Sequence, residues 1–229
     1  MNRKTIITIL WILLAICLLF LTGRKAIDTF VDFLDENGKV IDINAVEKVE
    51  QDDAEKYIQS DSVVLELGGR YGTVSAIINK KLKDPTNHVV VEPDQTVWAS
   101  LEKNKAATHS KFHILKGFIS NKKLTLEGGG YGATQKEDAA STIPSYTLSE
   151  IETEHELKFN TLVADCEGCL ETFLDENPSL YSDLRLLLIE EDQGHKCNYE
   201  KIKTNLRIHS FVEVASSFDA VYRSVWMKT

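Results

Sequence analysis

The sequence predicts an α/β fold, a doubly wound and mostly parallel sheet, on three observations. First, the run Val63-Val64-Leu65-Glu66-Leu67 leads into Gly68-Gly69-Arg70-Tyr71-Gly72 and then into a helical pattern. That is a strand–turn–helix unit of the kind in which ligands bind beyond the carboxyl ends of the strands. Second, strand and helix patterns alternate from Ser62 onward, which implies parallel strands covered on both faces. Third, successive strand runs end in acids, at Glu66, Glu92 and Asp165.

The elements follow in order. Met1 to Lys4 is basic and Ile6 to Leu21 almost wholly apolar. With Thr5 and Thr22 the run reaches about 18 residues, near the lower limit for a spanning helix. Residues 1–25 are therefore expected to be a single-pass N-terminal transmembrane helix. A cleaved signal peptide is the competing reading, although the apolar core is long for one and no small-x-small site follows. Arg3 and Lys4 on one side and Arg24 and Lys25 on the other barely set the orientation; the lean is to a lumenal globular part. Residues 26–60 read as a charged stalk with some helix over Asn44 to Ile58, and residues 61–229 as one domain.

Within that domain, Val74, Ile77, Ile78 and Leu82 mark the first helix, closed by lysines and Pro85. His88-Val89-Val90-Val91-Glu92 is the second strand, and Val97, Trp98 and Leu101 mark its helix. Phe112 to Ile119 is the third strand and Phe159 to Ala164 the fourth, with a helix over Glu167 to Asn177. Leu184 to Ile189 is the fifth strand, Tyr199 to Ile208 is helical, and Phe211 to Ala215 with Val221 to Trp226 close the sheet as an antiparallel pair. Glu127-Gly128-Gly129-Gly130-Tyr131-Gly132 opens a polar stretch to about Thr142, readable as a mobile lid or as a plain surface insertion.

A net charge of −9 argues against a nucleic-acid partner, which calls for a basic face. Of four cysteines, Cys17 lies in the apolar run; the remaining three cannot all pair, but a Cys166–Cys169 bridge is compatible with an oxidising compartment. Cys166, Cys169, His195 and Cys197 also have the composition of a zinc set. A metal there would crowd the strand ends, so no metal site is expected.

Glu66 stands where a dinucleotide turn would carry a glycine to complete Gly-x-Gly-x-x-Gly. A carboxylate there repels phosphate and attracts a cation. S-adenosyl-L-methionine carries an ammonium and a sulfonium and no phosphate, so the charge favours it over a nicotinamide cofactor. Glu66 is then expected to hold the ammonium, with Gly68 and Gly72 letting the backbone approach the ligand. Glu92, about 25 residues after the turn, is placed to accept from ribose hydroxyls. Asp165 would face the methionyl end and the acceptor. Asp165, Glu190 and His195 are the candidate bases, His195 by its intrinsic pKa.

These residues resemble the FkbM family of S-adenosylmethionine-dependent methyltransferases. Val64 to Gly72 is similar to its cofactor turn, Val91-Glu92-Pro93-Asp94 to its second-strand motif, Tyr146-Thr147-Leu148-Ser149-Glu150-Ile151 to its "TLDDL" segment, and Asp165-Cys166-Glu167-Gly168-Cys169-Leu170-Glu171 to its "D-x-E-G-x-E" signature. The similarity covers about Val63 to Val214. Val163 stands where the family commonly has lysine, and Cys169 replaces a small residue. The resemblance implies a seven-stranded class I methyltransferase (Rossmann-like) fold and transfer of a methyl group to a hydroxyl of a small molecule or glycan. A catalytically inactive, membrane-anchored binding module with the same fold is the alternative, separable by its failure to bind the cofactor.

Overall fold

The structure, a computed structural model, describes residues 31–229. Among the described residues, a seven-stranded sheet runs in the order Phe211–Phe218, Tyr222–Lys228, Leu186–Glu191, Thr161–Ala164, Val64–Leu67, His88–Glu92, His113–Lys116. Its centre is β3 (Val64–Leu67), β4 (His88–Glu92), β5 (His113–Lys116), β10 (Thr161–Ala164) and β11 (Leu186–Glu191), all mutually parallel. β12 (Phe211–Phe218) and β13 (Tyr222–Lys228) close one edge, with β13 antiparallel to both neighbours. This is the mostly parallel doubly wound sheet that the alternation predicts.

Alternate residues of a strand face opposite sides, and the core divides accordingly. Leu65, Leu67, Val89, Val91, Leu162 and Leu187 pack on one face. Val64, Val163, Leu186 and Leu188 pack on the other, under α2 (Thr73–Lys81). Helices α3 (Trp98–Ala107), α4 (Leu148–His155), α5 (Leu170–Glu176) and α7 (Tyr199–Ile208) cover the sheet between strands, with a short α6 (Leu180–Asp183). Helix α4 starts at a reciprocal cap: the Thr147 hydroxyl accepts from Glu150 N–H, and the Glu150 carboxylate accepts from Thr147 N–H at 2.7 Å.

Residues 33–60, which composition reads as a stalk, fold onto the sheet. They form a small hairpin, β1 (Phe33–Leu34) with β2 (Val40–Ile41), and α1 (Lys48–Tyr57). Asn104 clamps the hairpin by accepting from Leu34 N–H at 2.9 Å and donating to its carbonyl at 3.0 Å. Ala54 and Ile58 are buried against Val64 and Val74; Ile58 alone contributes about 2 kcal/mol by leaving water.

The expected transmembrane helix finds no support among the described residues. No helix among the described residues is long and apolar enough to cross a membrane, the longest running ten residues, about half the length a bilayer requires. Residues 1–25, to which the sequence assigned that helix, lie outside the described residues.

Candidate functional site

Backbone bonds between the carboxyl ends of β3, β4 and β10 build the floor of the site. Gly68 N–H donates to Val91 O at 3.0 Å, Asp165 N–H to Leu67 O at 3.0 Å and Gly117 N–H to Glu92 O at 3.1 Å. Gly68 has φ +93°, and a Cβ there would sit 1.7 Å from the Asp165 carbonyl oxygen. Only glycine meets both demands. Glu92, 5% exposed, accepts from Arg70 N–H at 2.6 Å and Asp94 N–H at 2.7 Å. Burial nonetheless pushes its pKa up to about 7, against the pull of those two bonds.

Above this floor is a cavity of about 110 Å³, its walls largely apolar through Val91, Phe118, Ile119, Leu124 and Phe173. Glu92 and Asp165 line it, and Arg70 is its one cationic side chain among the described residues. A hairpin of β7 (Leu124–Glu127) and β8 (Thr134–Glu137) forms one wall and brings Gly130 and Tyr131 over the opening. The stretch from Glu127 thus reaches the cavity through Gly130 and Tyr131. Cys166 and Cys169, joined by a disulfide, form another wall.

The residues chosen from sequence are only partly brought together. Gly68, Glu92 and Asp165 line the cavity. Glu66 does not: its alternation puts it on the Val64 face, 2% exposed, accepting from Ser75 Oγ at 2.9 Å and pairing with His88 Nε2 at 2.8 Å. It braces the turn from beneath and shares a smaller neighbouring pocket with Gly68, Asp165 and Glu190. Gly72 serves packing, since a Cβ there would lie 2.8 Å from Leu101. His195 is exposed on the loop after β11 and lines a separate groove with Glu171 and Glu200. It lines none of the pockets that Asp165 lines. We expect His195→Ala to keep turnover within about two-fold of wild type, since surface changes remote from chemistry are nearly neutral; steady-state rates check this. With Cys166 bonded to Cys169 and Cys197 a buried free thiol, the four-residue zinc set is not formed.

Beyond Asp165 the site opens into a cleft of about 730 Å³ lined by Glu47, Glu50, Glu167, Glu190, Glu191 and Asp192. So many acids cannot all ionise. Burial and then a hydrogen bond with Glu50 raise Glu190 to about 10. Arg223 Nε, 3.4 Å from the Glu190 carboxylate, opposes that rise. Burial, and then a hydrogen bond with Asp192, raise Glu167 to about 7. Burial first, then Glu47 and Asp192, push Asp165 well above the carboxylate range. Asp165, Glu167 and Asp192 also present oxygens within 4.8 Å of one another, close enough for a shared cation.

Glu47, Glu92 and Glu167, each near 7 when folded, give a pH prediction. Protons are held more tightly folded than unfolded, so their stabilising contribution is full below about 4.5 and lost as pH rises through 7. Thermal melts of the ligand-free protein should fall from pH 6 to pH 8, and a cationic ligand should bind several-fold more tightly at pH 8. Melts that rise over that interval refute this.

Sequence reasoning missed Arg70, Tyr131, Glu47 and Glu50. Arg70 sits inside the turn that drew attention for its glycines and acid. Glu47 and Glu50 belong to the segment read as a stalk.

No family model matches the chain, and no curated protein matches it. Among solved structures, precorrin-6y C5,15-methyltransferase from Geobacter metallireducens superposes with a TM-score of 0.50 at 12% identity, over 80% of this chain and 87% of that one. An uncharacterized protein from Listeria monocytogenes gives 0.51 at 14% identity, over 78% and 66%. A putative tRNA (m1A22) methyltransferase from Streptococcus pneumoniae, solved with S-adenosyl-L-methionine, gives 0.48 at 15%, over 79% and 72%. At these identities the likeness shows the fold alone, a Rossmann-like α/β fold.

Proposed function

We propose that this protein is an S-adenosyl-L-methionine-dependent methyltransferase acting on a hydroxyl oxygen, of the kind found in the FkbM family. The observation that carries the reading is the cavity at the ends of β3, β4 and β10, with Glu92 and Asp165 at its floor and a single cation at its side. The residues fit the cofactor. Apolar walls suit an adenine, Glu92 keeps acceptor capacity for ribose hydroxyls, Asp165 answers the positive charge, and the buried Arg70 Nε has no acceptor of its own. When bound, the cofactor supplies a methyl group on a sulfonium that is already a good leaving group.

The protein's part is alignment and proton removal. Asp165 stands where the cavity meets the cleft, lining both, and is the group placed to take the acceptor's proton. Its raised pKa makes it a stronger base than an ordinary aspartate. Gly68 and the bonds to Leu67 hold that carboxylate at the strand end. The acidic cleft disfavours a polyanionic acceptor and suits a neutral hydroxyl compound such as a sugar of a glycan or glycolipid.

Calorimetry on the full chain tests the first step. S-adenosyl-L-methionine and its demethylated product should bind with dissociation constants of micromolar order. Methyl-label transfer then tests the acceptor, with extracted glycans and lipids in one arm and RNA in the other. Absence of cofactor binding would leave an inactive binding module; label in RNA alone would overturn the hydroxyl-glycan reading.

A further inference from the structure

Arg70 is the one residue at the cavity whose bonding is incomplete in a way that specifies a ligand. It forms no ion pair with any carboxylate among the described residues, although acids line the same cavity. Its guanidinium carbon lies 3.9 Å from the centre of the Tyr131 ring and 4.7 Å from that of Tyr71. Nη2 donates to the Tyr71 hydroxyl at 3.1 Å, and that hydroxyl in turn donates to Glu36. Nε is buried and unpartnered. The two rings, 6.2 Å apart and edge to face, fix the plane of the guanidinium without neutralising it.

A planar cation held this way, with a buried Nε that still lacks an acceptor, is suited to a bidentate contact with a carboxylate or phosphate. Every other ionisable group lining the cavity is an acid or a tyrosine, so an anionic group entering it has one place to go. Resting on the cofactor reading above, the ligand brings a single anionic group, the carboxylate of its amino-acid end. We propose that Arg70 binds that carboxylate, and that Tyr131, on the β7–β8 hairpin, is the positioning residue that holds the guanidinium ready. The site thus recognises the amino-acid end of the cofactor with a cation from the glycine-rich turn. Glu66, buried beneath the turn, takes no part in the contact.

The test uses calorimetry on the full chain with two probes that share a nucleoside. S-adenosylhomocysteine carries the amino-acid carboxylate, and 5′-methylthioadenosine lacks the amino-acid end. Arg70→Met should weaken S-adenosylhomocysteine by about 30-fold or more and leave 5′-methylthioadenosine within about three-fold, while Arg70→Lys should fall between. Tyr131→Leu, a change at a half-exposed hairpin residue, should weaken S-adenosylhomocysteine alone, and it serves if the Arg70 variants fold poorly, as judged by ligand-free melts. Equal loss for both probes, or loss for neither, overturns the assignment. Wild-type protein that binds neither nucleoside refutes the methyltransferase reading itself. Binding of NADH that depends on Arg70 would make it a phosphate reader and overturn both.

Discussion

Replacing Asp165 by asparagine should lower the rate of methyl transfer by about 10²- to 10⁴-fold, the range in which a positioned base contributes. Asparagine keeps the shape and removes the charge, so the floor bonds, which use only Asp165 backbone atoms, survive. The same change should make the protein more stable at pH 8. Burial, Glu47 and Asp192 all oppose ionisation of Asp165, so a neutral amide relieves a repulsion that the native protein carries when charged. Lower turnover with a higher melting temperature is a signature that mere damage to the fold would not give. Turnover of the variant at the native rate would remove Asp165 from the mechanism.

Gly68→Ala is expected to cost roughly 3–5 kcal/mol, enough to unfold a marginal domain. The added methyl meets the Asp165 carbonyl at 1.7 Å, a backbone atom on the neighbouring strand, and φ of +93° strains any L side chain. Relief requires β3 and β10 to part at the bonds that form the floor. Gly129→Ala, where a Cβ finds nothing within 4 Å, is the matched control and should change stability by less than about 0.5 kcal/mol. Urea unfolding of the pair measures the difference; equal midpoints would show that the floor is not held as described.

The central strands were legible because β3, β4, β10 and most of β11 are buried on both faces and read as largely apolar runs. The third strand was read as one element from Phe112 to Ile119. It breaks at Gly117, where a Cβ would approach the Pro144 carbonyl to 2.4 Å as β6 (Phe118–Ile119) leaves to pair with β9 (Ser145–Tyr146). Nothing local announces that partner 27 residues away. Helix α1 hid its buried face because Gln51 occupies it, with its amide donating to the carbonyls of Ile43 and Val46. A polar residue there erases the periodic signal although Ala54 and Ile58 carry it. The β7–β8 strands bury one residue each, Leu124 and Thr134, too little for an alternation to show. Helix α4 was readable from Thr147-x-x-Glu150, a cap signature overlooked in favour of the motif it sits in.

At the site, sequence placed Glu92, Gly68 and Asp165 together because strand order puts the ends of β3, β4 and β10 side by side. It misplaced Glu66 because charge was weighed without the pleat, which turns that carboxylate away from the cavity. His195 was chosen by intrinsic acidity alone, and proximity along a loop does not make proximity in space. The convergence of Glu50 and Glu190 on Arg223 needed coordinates, since the three come from α1, β11 and β13.

The main-chain bonds that join the three strand tips leave the chemistry of the roof to a separate hairpin with few ties to them. A foundation that depends on amide groups can outlast wholesale change in the residues above it. Exchanging the 124–137 segment for one of different composition that keeps Tyr131 should therefore redirect what the protein accepts while the sheet beneath folds as before, which makes that insert the natural place to begin re-engineering.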